Sequence, residues 1–228
     1  MPSPKQYFTR RLSSRETVVV IALAMMLAGL GYGVWSFVSA KLLEARVGEA
    51  AVRLSGEIRE QRNEIVSAIE AYKTHFGFYP PDNVISRNPL RVDAVSNRLA
   101  YELIGFVHNP TNRLYQAGRL EAAEAEFVNH FFHTDGMTNS SQHEEQVKHF
   151  LPAEYAYLRQ LHDDPDVFAL GCQMNYDGIT PEMSVEIDIS TWRYACFVAT
   201  DNPGKFDLWL ELRAGRQTTT IGNWKAAE

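Results

Sequence analysis

The sequence predicts an α+β protein: one long N-terminal α-helix, apolar all round in its first half and amphipathic in its second, packed on a C-terminal antiparallel β-sheet, with a helical insertion between. Three observations carry this expectation. Residues 17–40 form a single uncharged apolar run, apolar positions continue from there at helical spacing as far as Phe76, and beyond Asp166 short β-branched and aromatic runs alternate with Gly, Asn, Asp and Pro.

The apolar run, Thr17 to Ala40, comes first. About 24 residues at ~1.5 Å rise reach ~36 Å, enough to cross a hydrocarbon core of ~30 Å. Lys5, Arg10, Arg11 and Arg15 precede it, and a basic flank stays cytoplasmic. Residues 1–16 therefore read as a basic cytoplasmic leader, 17–40 as a transmembrane helix and 41–228 as a domain outside. The run is longer than the ~7–15 residues of a signal-peptide core, which favours a retained span over cleavage near Ala40. Glu16 stands directly before the span. There it is either a solvated flank residue that gains ~0.3–1 kcal/mol from the helix dipole, or an acid drawn into the apolar layer that needs a cationic partner from a neighbouring copy. Gly29 and Gly33 have the GxxxG spacing that lets helices approach closely in a bilayer, although Gly is also simply common in spanning helices.

Past Ala40 the pattern narrows to one face: Leu43, Val47, Leu54, Ile58, Ile65, Ile69, Tyr72 and Phe76, with charged residues between. No proline intervenes until Pro80, and Gly77 offers a C-terminal stop, so the same helix should run on from 41 to 76, about 90 Å in all at ~1.5 Å per residue. From about 84 to 165 the spacing reads as helical. Leu99, Leu103 and Val107 mark one helix, Leu120, Phe127 and Phe131 a second, and Val147, Leu151, Leu158 and Leu161 a third. The sheet should occupy about 166–224, with strands at 167–174, 185–189, 193–199, 206–212 and 218–221 and a tight turn at Asp201-Asn202-Pro203-Gly204.

Composition narrows the function. The formal net charge is −6 and no basic patch lies beyond the N-terminal flank, which argues against nucleic-acid binding. No GxSxG, HExxH, GxxxxGK[ST] or GxGxxG pattern outside the apolar run supports catalysis, so no catalytic residue and no required cofactor is assigned. His130 and His133 share a helical face and, with Asp135, His143 or Glu144, offer weak divalent-metal spacing. Asp201, Asn202 and Asp207 supply oxygen ligands that could hold calcium, or Asp201 and Asn202 simply form the turn, as Asx residues do without any ion. Cys172 and Cys196 lie on the oxidising side of the membrane, where they either form a disulfide or stay as buried thiols.

A Glu at the head of an apolar span and one long helix ending in a Tyr-Pro turn before a sheet together resemble the type IV pilins and type II secretion pseudopilins. Ile65-x-x-Ala68-Ile69-x-x-Tyr72-x-x-x-Phe76-Gly77-x-Tyr79-Pro80 is similar to the end-of-helix signature of the major-pseudopilin-like branch. The stretches Trp192-Arg193-Tyr194, Asn202-Pro203-Gly204-Lys205-Phe206-Asp207-Leu208-Trp209 and Ile221-Gly222-Asn223-Trp224 resemble its final strands. The resemblance implies a pilin-like fold and a non-enzymatic, single-pass protein of the bacterial inner membrane with its C-terminal domain in the periplasm. It also implies partners among copies of itself, other pseudopilins and inner-membrane components of a protein-transport machine. Glu16 matches the Glu found at the family's fifth mature position, which places processing between Arg11 and Leu12. Those residues depart from the family's Gly-aromatic pair, and Arg213-Ala214-Gly215-Arg216-Gln217 stands where an Asp-rich calcium loop is usual. A single-pass anchored periplasmic binding or sensory domain on the same scaffold is the alternative implied by the poor cleavage site and the large insertion.

Overall fold

A long helix, α1 (Ser14–Phe76), opens the computed structural model, which describes residues 14–87, 90–161 and 164–224. The chain divides into two units between Arg46 and Val47. In the first unit α1 is apolar and uncovered. Ile21, Leu23, Met25, Met26, Leu27, Leu30, Val34, Trp35 and Phe37 are all exposed. A window of the helix with mean hydropathy 1.8 has none of its surface buried, so one N-terminal helix is long and apolar enough to span a membrane.

In the second unit the remainder of α1 buries one stripe. Val47, Ala50, Leu54, Ile58, Ile65, Ala68, Ile69 and Tyr72 are buried, at intervals of mainly three, four and seven. The helix stops because Gly77 takes φ +84° and its N–H closes on the Lys73 carbonyl at 2.8 Å, a left-handed C-cap that a residue with Cβ would strain. From Leu54 to Tyr72 the buried stripe belongs to the same apolar core as Trp192, Leu208, Leu210, Leu212 and Ile221.

Those residues come from the C-terminal sheet. Strand β11 (Asp207–Ala214) is its centre, with β12 (Gln217–Gly222) antiparallel on one side. Two short strands, β9 (Ile187–Ile189) and β10 (Arg193–Ala195), follow one another along its other edge, also antiparallel. Alternation along β11 puts Leu208, Leu210 and Leu212 inside and leaves Trp209 and Glu211 half-covered, the period of two that a one-sided sheet requires. The expected strand at 185–189 begins later, because Pro181 starts a short helix, α4 (Pro181–Glu186), that occupies its first residues.

The segment from 84 to 165 is not the helical insertion its spacing suggests. Its regular structure is mainly short strands. β1 (Val84–Arg87) pairs with β2 (Leu90–Val92), and β5 (Leu120–Glu124), β4 (Leu114–Ala117), β3 (Phe106–His108) and β6 (Ser140–Ser141) form a second sheet in that order. β7 (Ala156–Leu161) pairs with β8 (Asp164–Leu170). Among the segment's described residues only α2 (Leu99–Ile104) and α3 (Ala125–Phe131) are α-helical, with two single 3₁₀ turns besides.

Local reasons account for each change. α2 ends at Gly105, where φ is +75° and a Cβ would meet Val147 Cγ1 at 2.5 Å and the Lys148 carbonyl at 2.6 Å, so Val107 enters a strand instead of a helical turn. Gly118, at φ +60°, makes the two-residue turn that folds Leu120 back onto β4. The third expected helix is divided by Pro152, after which Ala156–Leu161 pairs with β8.

Candidate functional site

The features that could serve assembly begin on α1. A Cβ added at Gly29 or Gly33 meets nothing within 4 Å, so the surface over both is open. Glu16 falls within α1 as a backbone position, while its side chain lies outside the described residues, as do Arg11 and Leu12 of the expected processing site.

Polar side chains tie the buried half of α1 to four other segments. Arg62 donates from Nη1 to the Gly222 carbonyl at the end of β12, at 2.8 Å. The Gln61 amide pairs with the backbone of Gln173, taking its N–H at 2.8 Å and donating to its carbonyl. Tyr155 donates to Glu64, and Tyr72 donates to Glu102 on α2 at 2.9 Å. Glu102 is fully buried. Besides Tyr72 it accepts the N–H groups of Thr138 and Asn139 at 3.0 and 2.9 Å, and Arg98 lies 4.0 Å away. Burial raises the Tyr72 phenol well above its ordinary range, and the Glu102 carboxylate adds to the rise, so Tyr72 stays a donor.

The Gly77-x-Tyr79-Pro80 turn is held from both sides. The Tyr79 ring packs on Phe206 with centroids 5.2 Å apart, carries Lys73 Nζ 4.1 Å above its face, and donates its hydroxyl to Glu70 at 3.2 Å. Tyr194 donates to the Pro80 carbonyl at 2.8 Å. Asp82, just past the turn, accepts the backbone N–H groups of Cys196 and Phe197 at 2.8 and 2.6 Å, joining the turn to the segment after β10. Trp224 packs edge-on against Trp209 at 5.9 Å and fills the space that a Cβ on Gly222 would need.

Asp207 is engaged differently from a calcium ligand. Its carboxylate accepts the N–H groups of Thr200, Asp201 and Asn202 at 2.6, 3.0 and 2.9 Å, and the Asn202 side-chain amide at 3.1 Å. Asn223 locks the same loop, accepting from Leu208 N–H and donating to the Phe206 carbonyl. Three backbone donors converge on the carboxylate of a residue that is 3% exposed, so the loop supplies its own anion instead of awaiting a cation. Among the described residues no group of three or more His, Cys, Asp or Glu is arranged to hold a metal ion.

The cysteines are free. Cys172 Sγ lies 3.4 Å from both Gln61 Oε1 and Met174 Sδ, whereas Cys196 Sγ faces the Pro80 carbonyl at 3.5 Å. Burial pushes both thiols up to about 12, helped by Glu57 at Cys172 and by Asp82 at Cys196.

His130 and His133 line a cavity of about 530 Å³ together with Asp82, Val84, Arg98, Asn129, Thr134 and Asp135. The two histidines were legible as a pair, but Arg98 and Asp82 were not, because a lone Arg before a helix and an Asp in a turn read as solvated residues. The one available signal was Asn97-Arg98 directly ahead of the apolar run of α2. No family model, curated protein or solved structure matches the chain.

Proposed function

We propose that the protein is a membrane-anchored, pseudopilin-like structural subunit of a type II secretion or type IV pilus-like assembly, with no enzymatic activity of its own. One observation carries the reading: α1 presents an apolar and wholly uncovered face over its N-terminal part, and the same helix supplies the core stripe of the second unit and ends in a pinned Gly-x-Tyr-Pro turn. A helix of that kind satisfies its own backbone in lipid and leaves its side chains for lipid and neighbouring helices. On this reading the N-terminus is cytoplasmic, the domain from 41 onward is periplasmic, and copies of the chain or other pseudopilins pack along α1, with inner-membrane components of the machine alongside. Gly29 and Gly33 give the close-approach surface, and Glu16 sets the register of adjacent subunits against a cationic group of a neighbour.

Photocrosslinking between α1 helices in native membranes tests it. Glu16→Ala should leave the second unit folded, judged by Trp fluorescence, while reducing the crosslinked ladder. An unchanged ladder would remove Glu16 from the assembly role.

The polar cavity favours a second reading, a single-pass anchored periplasmic binding or sensory domain on the same scaffold, because a hollow lined by charged and polar side chains is suited to holding a small polar ligand. Genomic neighbours separate the two. Genes for a secretion ATPase and a platform protein accompany the first and not the second.

A further inference from the structure

We propose that the cavity beside α2 binds a small carboxylate that carries hydroxyl groups, with Arg98 taking the carboxylate. The site is independent of the assembly role.

The argument starts from Arg98. Its side chain is only 11% exposed, and a cation largely removed from water needs compensating acceptors. Nε donates to the Pro81 carbonyl at 3.3 Å, and Nη1 donates to Thr134 Oγ1 at 2.6 Å and the Gly136 carbonyl at 3.4 Å. All three acceptors are neutral. The nearest acid, Glu102, stands 4.0 Å from Nε, too far for a hydrogen bond, and its oxygens accept from Tyr72, Thr138 and Asn139. Nη2 makes no hydrogen bond among the described residues, leaving two donors of a fixed fork unused on a residue that lines the cavity. A planar fork with spare donors is matched by a carboxylate, which accepts two parallel bonds.

The other walls supply the remaining groups. His130 and His133 stand with ring centroids 6.5 Å apart, and neither ring makes a hydrogen bond among the described residues. Each imidazole therefore has a donor and an acceptor to offer. Both Asp82 oxygens are engaged by the backbone N–H groups of Cys196 and Phe197, at 2.8 and 2.6 Å, and so are turned away from a ligand beside Arg98. Asp135 has no such partner among the described residues, and an exposed carboxylate in the lining accepts from hydroxyl donors and repels a second negative group. Arg98 disfavours a cationic group beside it, and among the described residues no group of three or more His, Cys, Asp or Glu is arranged to hold a metal ion. The volume, about 530 Å³, suits a molecule of metabolite size.

Titration calorimetry on the full chain in detergent tests this with three probes: glycerate, propionate and inorganic phosphate. Glycerate should bind saturably, with propionate weaker by roughly tenfold, the scale of one or two lost hydrogen bonds. Phosphate should bind no more tightly than propionate. Arg98 also holds Pro81 and Thr134, so Arg98→Lys is paired with His130→Ala, which leaves those contacts intact. Both should weaken glycerate by about tenfold or more with near-UV dichroism unchanged for His130→Ala, as expected for removal of one charge-assisted or polar contact. Asp135→Asn should narrow the gap between glycerate and propionate. The proposal is overturned if glycerate does not bind saturably, if phosphate binds more tightly than it, or if His130→Ala leaves its affinity unchanged.

Discussion

Glu102→Gln isolates the contact that fixes α1 to the insertion. The wild-type carboxylate is fully buried and accepts three hydrogen bonds, from Thr138 N–H on Oε1 and from Tyr72 and Asn139 N–H on Oε2. An amide has one accepting oxygen and one NH₂, so either orientation turns a donor toward a backbone N–H. One buried N–H is then unmet, which costs about 1–3 kcal/mol, and the bonds that remain lose their charge assistance, about 1–2 kcal/mol more. Arg98, 4.0 Å away, also loses the nearest negative charge. The sum is on the order of 4 kcal/mol, which for a unit of this size lowers Tm by roughly 8–16 °C. Tyr72→Phe removes one bond and leaves the carboxylate with two, so it should cost only about 1–2 kcal/mol. Thermal and urea unfolding of the full chain in detergent, followed by Trp fluorescence, measures both, and Trp192 in the same core reports the transition. A Glu102→Gln protein within about 1 kcal/mol of wild type, or a Tyr72→Phe protein as unstable as Glu102→Gln, would refute the reasoning.

Three further outcomes are expected. Both thiols, pushed up to about 12 by burial, should react with iodoacetamide at pH 8 at least roughly a hundredfold more slowly in the fold than in urea. Because the folded thiols ionise later than the unfolded ones, stability should also fall as pH rises from the ordinary thiol range toward 12, and a flat profile there would contradict the burial. Gly105→Ala should destabilise by about 3 kcal/mol or more, since strain at φ +75° is joined by contacts at 2.5 and 2.6 Å, whereas Gly77→Ala, strained but open, should cost only about 1–2 kcal/mol; urea midpoints compare them. Asp207→Asn should cost about 2 kcal/mol or more through the N–H groups of Thr200, Asp201 and Asn202, while added calcium should leave the wild-type Tm where it is.

How much of this was legible in the sequence depended on whether the signal was local. The long helix was readable because its apolar period is unbroken and its stop, Gly77 followed by Tyr79-Pro80, is written in adjacent residues. β11 and β12 were readable for the same reason, with Leu208, Leu210 and Leu212 alternating. The middle segment misled because Leu99-Leu103-Val107 keeps a spacing of four while Gly105 and its neighbours Val147 and Lys148, distant in sequence, forbid the helix from continuing. Acidic Glu121 and Glu124 resembled an exposed helix face, and the turn residue Gly118 was the cue to a hairpin instead. The cavity was half legible. His130 and His133 are neighbours in the chain, but Arg98 and Asp82 join them only through folding. Asp207 was picked out as an oxygen ligand for calcium, yet its partners are the loop's own N–H groups.

Photocrosslinking from Leu30, set between Gly29 and Gly33 on the uncovered part of α1, tests membrane-anchored assembly most directly. With a photoreactive residue at position 30 in native membranes, irradiation should give protein adducts at multiples of the 25.9 kDa chain or with another single-span subunit, reduced by Glu16→Ala. Adducts to lipid alone, with the protein otherwise monomeric at expressed levels that match wild type, would contradict the account.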